Sequence, residues 1–315
     1  MADRLADQRA GVSRPHALAP NSTIGILGGG QLGRMAALAA ANLGYRCHIF
    51  TPELDSPAAQ VAAGSTVAPF DDHAALSAFA QAVDVVTLEF ENVPLESVEF
   101  LSRTVPIRPG GDTLRLAQHR ALEKTAAAQH GLTPVRWRAV TSLEELYDGL
   151  EEIGTPAVLK TARLGYDGKG QQMLHSTEAA AEAWDTLATD EAVLEQKIDL
   201  VGEISVITVR GLDGKVLAYP PGENIHRDHI LATTRVPAQI SPALIEKAAE
   251  DAKALADALG YIGVLGVEFF IAEDDTLYFN EMAPRPHNSG HWTMDAAVTS
   301  QFEQQIRAIT GLPLG

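Results

Sequence analysis

Two glutamates on either side of a short acidic turn have the spacing of a divalent-cation site. Residues 262–271 and 276–279 are apolar and β-branched, which predicts a β-hairpin. If 274–275 is its two-residue turn, Glu268 and Glu281 lie directly opposite each other on one face. Like charges at that spacing repel, and a hard cation such as Mg²⁺, which prefers carboxylate oxygens, would remove the repulsion. The alternative is a pair of solvated acids on an edge hairpin.

The hairpin runs into a polar loop, Asn280-Glu-Met-Ala-Pro-Arg-Pro-His-Asn-Ser-Gly-His-Trp-Thr293. Its arginine, Arg285, lies between two prolines, which would stiffen the loop. A guanidinium fork suits a planar oxyanion, so this loop is a candidate anion site. For His226, His229 and His291, hydrogen bonds that serve only the fold are as good an explanation as a catalytic role.

A glycine-rich turn near the start of the chain could hold a phosphate. Residues 23–27 form a short apolar strand, Gly28-Gly-Gly-Gln-Leu-Gly33 follows, and 31–42 has the composition of a helix. Backbone N–H groups at a helix N-terminus favour an anion. The same glycine spacing occurs in dinucleotide-binding domains, but Glu53 is a poor match for the acid that such domains need after their second strand.

Segments with strand and helix character alternate from residue 23 to about residue 101. This alternation predicts an open parallel sheet whose ligands bind at the carboxyl ends of the strands. Glu89 and Glu91 follow one such strand end. One of them could bind the hydroxyls of a sugar, and the alternative is that both only solvate the loop.

A second glycine-rich segment has the composition of a lid over a polyphosphate. The predicted strand 156–160 ends in Lys160, and Gly165-Tyr-Asp-Gly-Lys-Gly-Gln171 follows soon after Arg163. Flexible backbone with interleaved cations can close over phosphate groups. A mobile hairpin loop without a ligand is the alternative.

Length and composition indicate a globular protein of several domains. The chain has 315 residues, of which 46% are hydrophobic and 21% charged, and such a length favours two or three domains. The formal net charge of −17 disfavours nucleic acid or an anionic membrane as a partner. No segment has the ~18 apolar residues of a membrane span. The single cysteine, Cys47, excludes an intrachain disulfide and fits a reducing cytoplasm.

The order of these features resembles the ATP-grasp superfamily. Within it, residues 28–35, 165–171 and 280–293 are similar to the N5-carboxyaminoimidazole ribonucleotide synthetases, and the resemblance covers about residues 23–315. Such enzymes use ATP and bicarbonate to form carboxyphosphate, and then carboxylate the exocyclic amine of 5-aminoimidazole ribonucleotide. The resemblance implies an ATP-dependent ligase with two Mg²⁺ ions that acts in purine biosynthesis as a homodimer.

The family also implies an α/β fold with three domains. We expect a loose arm at 1–22, which lacks the apolar core of a signal peptide, and a Rossmann-like domain at 23–110. Linker helices and a small lid domain follow at 111–190, and the mixed-sheet ATP-grasp domain at 191–315. Arg108-Pro-Gly-Gly111 has the composition of the first boundary.

Site roles follow from the same resemblance. Nucleotide contacts are expected from Arg115, Lys160, Gly165, Gly168, Lys169, Gly170, Gln171, Glu195, Gln196, Lys197, Ile198, Glu203, His226, Asn280 and Glu281. Metal ligands are expected to be Glu268, Asn280 and Glu281. The bicarbonate site is matched by Arg285, His287 and Asn288, and the acid/base pair near the amine by Tyr166 and Asp167. Ribonucleotide contacts are expected from Gly30, Gln31, Leu32, Glu89 and Arg163, with the glycine-rich turn holding the phosphate.

The chain departs from the family at its C-terminus. Family members continue for several strands, and that segment ordinarily supplies basic residues to the substrate phosphate, so the resemblance implies ATP binding with weak binding of the ribonucleotide. The nearest rival is a formate-dependent glycinamide ribonucleotide transformylase. A Rossmann NAD-dependent dehydrogenase would explain only 23–110, and a non-catalytic nucleotide-binding protein is disfavoured by the acids Glu268, Glu281 and Asp167.

Overall fold

The computed structural model describes residues 17–165, 170–227 and 230–315, and three β-sheets organise them. The strands of the first sheet are β1 (Thr23–Leu27), β2 (Arg46–Thr51), β3 (Gly64–Val67) and β4 (Val85–Leu88). They are parallel in the order β3-β2-β1-β4, because a helix or helical turn follows each strand. The main helices of this domain are α1 (Gln31–Asn42), α2 (His73–Gln81) and α3 (Leu95–Leu101). All four carboxyl ends lie at one edge, as the alternation in the sequence predicts.

Two helices, α4 (Gly111–Ala117) and α5 (Arg120–Gln129), lead to the second sheet. Its strands are β5 (Trp137–Val140), β6 (Ala157–Thr161), β7 (Gln171–Leu174) and β8 (Ala192–Gln196), antiparallel in the order β5-β8-β6-β7. The helices α6 (Leu143–Ile153) and α7 (Ala180–Leu187) cover one face of this sheet, where Leu146 of α6 packs in one core with Leu159 and Leu194 of the strands. Strand β8 follows residue 190, so this sheet extends past the start of the last domain predicted from the sequence.

The third sheet is antiparallel. Its strands are β9 (Leu200–Arg210), β10 (Val216–Ala218), β11 (Gly222–Arg227), β12 (Ile230–Arg235), β13 (Gly263–Ala272) and β14 (Leu277–Ala283). The order is β12-β11-β9-β13-β14, and β10 pairs with the far end of β9. Three helices complete this part: α8 (Pro242–Ala258), the single turn α9 (Thr293–Ala296) and α10 (Gln301–Thr310).

Helix α10 joins the first sheet to the third. One side of it contributes Phe302 and Ile306 to the apolar core of the first sheet, and the other side contributes Ala308 to a core with Val264 of β13. The buried amide of Gln305 also connects the two sheets. It donates to the Thr87 hydroxyl of β4 at 2.8 Å and accepts from the Val264 N–H of β13 at 2.6 Å. The first and third sheets are therefore held in a fixed relation.

Residues 17–22, the only described part of the predicted arm, are attached to the body of the protein. The N–H of Leu18 donates to the carbonyl of Thr310 at 2.8 Å, and the Tyr45 hydroxyl donates to the carbonyl of Leu18 at 3.0 Å. Among the helices of the described ranges, none combines the length and apolarity that crossing a bilayer requires.

Candidate active site

A cavity of about 450 Å³ lies between the second and third sheets and the end of the first domain. Strands of the second and third sheets contribute to its wall, and so do Glu91 and Asn92 after β4, helices α4 and α5 and the polar loop after β14. The structure brings to this one wall the following residues singled out from the sequence: Lys160, Arg163, Gly165, Gln171, Glu203, His226, Glu268, Asn280, Glu281, Arg285, His287 and Asn288. The cavity is therefore the candidate active site.

Glu268 of β13 and Glu281 of β14 face each other across the hairpin, as predicted, but the turn that sets this register differs from the prediction. The turn has three residues, 273–275, because Ala272 donates its N–H to the Thr276 carbonyl at 3.0 Å. Asp275 takes the left-handed conformation with φ of 62° that such a turn needs. A β-bulge then leaves Asn280 without a partner in β13 and restores the pairing of the two glutamates.

The two acids have different surroundings. Glu268 lies 3.4 Å from His287 Nε2 and accepts a long hydrogen bond from Asn280 at 3.5 Å. Burial first, and then the neighbouring Glu281, raise the pKa of Glu268 to about 8. Glu281 is more exposed and lies 3.4 Å from Arg120. The acid pair is thus only partly compensated by the cations of the protein.

These residues offer the oxygen ligands that a hard cation prefers. Two carboxylates and one amide oxygen, from Glu268, Glu281 and Asn280, converge on the cavity. No cluster of three or more His, Cys, Asp or Glu that could hold a metal occurs within the described part of the chain. Mg²⁺ in nucleotide sites is typically held by one or two carboxylates together with phosphate oxygens, so the donor set fits that ion when a nucleotide is present.

Three residues of α5, namely Arg120, Glu123 and Lys124, support the site, and the sequence analysis did not single them out. Arg120 lines the cavity beside Glu281, and its guanidinium also donates to the carbonyl of Gly165 at 3.2 Å. Glu123 accepts the N–H of Met282 at 2.6 Å, and burial followed by the charge of Glu281 raises the pKa of Glu123 to about 8. The sequence marks them only by a charged pair, Glu123-Lys124, inside an alanine-rich segment.

A buried ion cluster lies beside the cavity at Lys160. Glu195 is paired with Lys160 at 2.6 Å and with Lys124 at 2.9 Å. Burial alone would raise the pKa of Glu195, but the two ammonium groups outweigh it and lower that pKa to about 2. Glu195 therefore holds the two lysines, and its carboxylate is not part of the cavity wall.

Elsewhere on the cavity wall, Glu203 lies 2.9 Å from His226 Nδ1. The nearby Glu203 carboxylate raises the pKa of His226 above its usual value, because it favours the imidazolium form. His287 behaves differently, since burial and then the charge of Arg285 lower its pKa to about 3. His287 is therefore a neutral imidazole, and its Nδ1 lies 2.8 Å from the Ser289 hydroxyl.

Arg285 forms a two-pronged ion pair with Glu91, which follows β4. Burial alone would raise the pKa of Glu91, but the guanidinium outweighs it and holds that pKa below its usual range. In the sequence Glu91 was only one of two acids at a strand end, and nothing local connected it to a residue 194 positions later.

The glycine-rich turn differs from the phosphate site predicted for it. Glu89, a buried acid, accepts the N–H groups of Gly30 and of Gly33, the latter at 2.8 Å. Burial raises the pKa of Glu89, and these two hydrogen bonds oppose the rise. A carboxylate therefore takes two of the N–H donors at this helix N-terminus, those of Gly30 and Gly33. Gln31 instead lines a second cavity, of about 360 Å³, with Asn288 and His291.

Several predicted residues lie away from the main cavity. Arg115 pairs with Glu99 at 2.7 Å on the surface, and Lys197 pairs with Asp199 at 2.9 Å. Leu32 packs in the core of the first sheet. Gly170, Gln196 and Ile198 are also outside the lining residues. Tyr166, Asp167, Gly168 and Lys169, as well as His229, lie outside the described residues.

Comparison with known proteins decides the family. A model of the ATP-grasp domain matches residues 125–302, and a model of the ribonucleotide synthetase preATP-grasp domain matches residues 21–118. An N5-carboxyaminoimidazole ribonucleotide synthase of Brucella melitensis is 48% identical over 300 residues, which are 95% of this chain and 83% of that protein. The chain belongs to the N5-carboxyaminoimidazole ribonucleotide synthase family.

Solved structures of this synthase family share the fold. A crystal structure of the ADP complex of an N5-carboxyaminoimidazole ribonucleotide synthetase is 45% identical, with a TM-score of 0.92, and the match covers 95% of this chain and 79% of that one. A synthase of Aspergillus clavatus, in complex with ADP and 5-aminoimidazole ribonucleotide, is 32% identical with a TM-score of 0.87, over 94% of this chain and 78% of that one.

A bifunctional purine synthesis protein of Dictyostelium discoideum is 46% identical over 314 residues. The match covers 96% of this chain but only 31% of that longer protein. The synthase family thus accounts for nearly all of the present chain, and the expected α/β ATP-grasp fold is confirmed.

Proposed function

We propose that this chain uses ATP and bicarbonate to carboxylate 5-aminoimidazole ribonucleotide, giving N5-carboxyaminoimidazole ribonucleotide, ADP and phosphate. It is an ATP-dependent ligase of purine biosynthesis. The observation that carries the proposal is the shared cavity, in which the Glu268–Glu281 pair lies on the same wall as Arg285. A transformylase or a dehydrogenase is not favoured, because the family match spans both the glycine-rich domain and the ATP-grasp domain.

The nucleotide side of the cavity is assigned to the second sheet and to β9 and β11. Lys160 is a compact cation at the end of β6 and suits a phosphate of ATP, and Glu195 fixes its position. Glu203 suits the ribose hydroxyls, since a carboxylate accepts two hydrogen bonds at once. Arg120, already directed at Glu281, replaces Arg115 as the cavity-lining arginine on the α4–α5 segment.

Glu268, Glu281 and Asn280 are assigned to Mg²⁺ in the nucleotide complex. The bound metal would offset the negative charge of the phosphates during phosphoryl transfer. The protein's own contribution is to keep the two carboxylates opposite each other, through the bulge at Asn280.

Arg285, His287 and Asn288 are assigned to bicarbonate. A bicarbonate oxygen attacks the γ-phosphorus of ATP, the bond to the β-phosphate oxygen breaks, and ADP leaves. The amine of the ribonucleotide then attacks the carbon of carboxyphosphate, and inorganic phosphate leaves with the electron pair of the broken C–O bond. The loop prolines and the hydrogen bonds of Gln301 to the N–H and carbonyl of His287, at 2.9 and 2.7 Å, keep this loop rigid.

The amine must lose a proton when it is carboxylated. We assign this proton transfer to Asp167, with Tyr166 beside it, and the ribonucleotide contacts to Gly30, Gln31, Leu32, Glu89 and Arg163. Gln31 and Asn288 share the second cavity, which adjoins the bicarbonate loop, and this supports a ribonucleotide that spans the two.

The test is to measure turnover in two ways, as ADP formation in a coupled assay and as release of inorganic phosphate. Turnover should require both 5-aminoimidazole ribonucleotide and bicarbonate, and ¹³C-bicarbonate should give a labelled carbamate on the amine. ADP formation that depends on formate, or no ribonucleotide-dependent turnover at all, would contradict the proposal. Asp167→Asn should keep ADP binding and lose carboxylation, whereas Asp199→Asn, a surface control, should keep both.

The family also leads us to propose a homodimer, which sedimentation equilibrium can test. The single, buried Cys47 and the absence of any second cysteine support a reducing cytoplasm as the location.

A further inference from the structure

The ion pair of Glu91 and Arg285 connects two domains at the bicarbonate loop. Glu91 follows β4 of the first sheet, and Arg285 follows β14 of the third. The two carboxylate oxygens of Glu91 face different nitrogens of Arg285: Oε2 accepts from Nε, and Oε1 accepts from Nη2 at 3.2 Å. Both side chains line the main cavity and are mostly buried, with 29% and 15% of their surface exposed.

The hydrogen bonds of Arg285 leave a specific pair of donors for a ligand. A guanidinium has five N–H groups in one plane. Glu91 takes the one on Nε and one on Nη2, and the carbonyl of Pro286 accepts one from Nη1 at 3.1 Å. Among the contacts of the described residues, one N–H remains on each terminal nitrogen. Two N–H groups on the terminal nitrogens of one guanidinium can form a second fork for the two oxygens of a planar oxyanion.

The pair also fixes the direction of that fork. A long arginine side chain on a loop has many rotamers, and a bidentate contact selects one of them. Glu91 is therefore the group that decides where the remaining N–H groups of Arg285 point.

We propose that Glu91 is a positioning residue for bicarbonate, acting through Arg285 and not by contact with the substrate. This inference rests on the proposed function. Glu91 is two residues from Glu89, which holds Gly30 and Gly33 of the glycine-rich turn. One short segment thus fixes both the turn of the first domain and the anion-binding arginine of the third, and it sets the distance between ribonucleotide and bicarbonate.

The decisive variant is Glu91→Gln. An amide presents only one acceptor oxygen, and its amino group faces one of the two arginine N–H groups, so the bidentate contact is lost while the size of the side chain is kept. We expect the KM for bicarbonate to rise at least about tenfold, as the loss of a charge-assisted hydrogen bond implies. The KM for ATP should change less than about twofold. Glu91→Asp should recover part of the affinity.

A matched control is Glu303→Gln. Glu303 also pairs with an arginine Nε, that of Arg307 at 2.7 Å, and its side chain is 30% exposed, but the pair lies on α10 away from the cavity. It should leave both KM values unchanged.

Binding of ¹³C-bicarbonate in the presence of ADP, followed by NMR line broadening, provides a readout that does not need turnover. Weaker bicarbonate binding by Glu91→Gln than by the unaltered protein supports the inference. Unchanged or tighter binding overturns it and identifies Glu91 as a competitor for Arg285. Bicarbonate binding that depends on Glu91 without ribonucleotide-dependent ADP formation would overturn the proposed function alone.

Discussion

Glu268 lies directly opposite Glu281, and the single unpaired residue Asn280 makes this possible. In the part of the hairpin near the turn, Phe269 pairs with Phe279, a register in which the two glutamates would miss each other by one residue. Because successive side chains of a strand point to opposite faces, Glu281 would then face away from Glu268. The bulge therefore places an unfavourable charge pair where a cation can use it.

Replacing Glu268 should stabilise the metal-free protein in a pH-dependent way. The folded-state pKa of Glu268 is about 8, above the ordinary value of 4.5. Between these values the unfolded state has released a proton that the folded state retains, so this residue makes the free energy of unfolding fall as pH rises from 4.5 to 8. Glu268→Gln should remove that slope and be the more stable protein at pH 8, by about 1 kcal/mol or more.

Urea unfolding in EDTA at pH 5 and pH 8 measures this difference. Glu273→Gln, at an exposed position in the turn of the same hairpin, is the control and should show no pH-dependent gain. A Glu268→Gln protein that is less stable than the parent at pH 8 would contradict the idea of a strained acid pair.

The same substitution should abolish metal-supported turnover. Glu268→Gln and Glu281→Gln each remove one of the two carboxylates. We expect kcat to fall by about 100-fold or more, because each carboxylate supplies part of the negative charge that holds the ion with the phosphates. Mn²⁺ binding in the presence of ADP, followed by electron paramagnetic resonance, reports the affinity directly. In the parent protein this affinity should rise from pH 6 to pH 8, since the metal must displace the proton of Glu268. A pH-independent affinity would be inconsistent with Glu268 as a ligand.

The buried cluster of Lys124, Glu195 and Lys160 should matter for stability more than any surface pair. Lys124→Met leaves Glu195 with one cation fewer in a buried setting, and we expect a loss of about 3 kcal/mol. Lys247→Met, which breaks an exposed pair with Asp251 at 2.8 Å, should cost less than about 1 kcal/mol. Chemical denaturation at pH 7 compares the two; similar losses would show that burial does not set the cost.

Glu195 also predicts acid sensitivity. Its folded-state pKa is about 2, below the ordinary 4.5, so its stabilising contribution is present above pH 4.5 and is lost as pH falls towards 2. Glu195→Gln should remove this part of the acid dependence, which unfolding curves at pH 5, 4 and 3 would detect.

Local sequence signals predicted the elements well. Helix 31–42 begins and ends where the sequence indicated, because its limits depend on adjacent residues. The limits of α10 are local in the same way: the Ser300 hydroxyl accepts the Glu303 N–H at 3.2 Å at its start, and the helix ends at Gly311 with φ of 81°. Such contacts span three or four residues, and composition is enough to anticipate them.

The sequence predicted those parts of the site that local sequence patterns mark, and it missed the contacts between residues far apart in the chain. The loop 280–293 and Lys160 were identified from type and spacing, whereas Arg120 reaches Glu281 from 161 residues away. The contact of Glu89 with the glycine-rich turn was missed for the same reason, since this acid lies 59 residues after Gly30. Long-range pairing of charges depends on packing between domains, and a single sequence carries no record of it.

The close contact of the glycine-rich turn with Glu89 gives a last prediction. Gly28 has φ of 108°, and a Cβ added there would lie 2.3 Å from Glu89 Cγ. Gly28→Ala must therefore strain the backbone and also displace Glu89 from the Gly30 and Gly33 N–H groups. Gly44→Ala is the matched control, because its φ of 81° is also left-handed but no atom lies within 4 Å of the added Cβ. We expect about 1 kcal/mol of destabilisation for Gly44→Ala, from backbone strain alone, and at least about 3 kcal/mol for Gly28→Ala, because buried hydrogen bonds are lost as well. Thermal and urea unfolding of the two variants measure the difference, and equal losses would mean that Glu89 moves aside without cost and does not hold the turn.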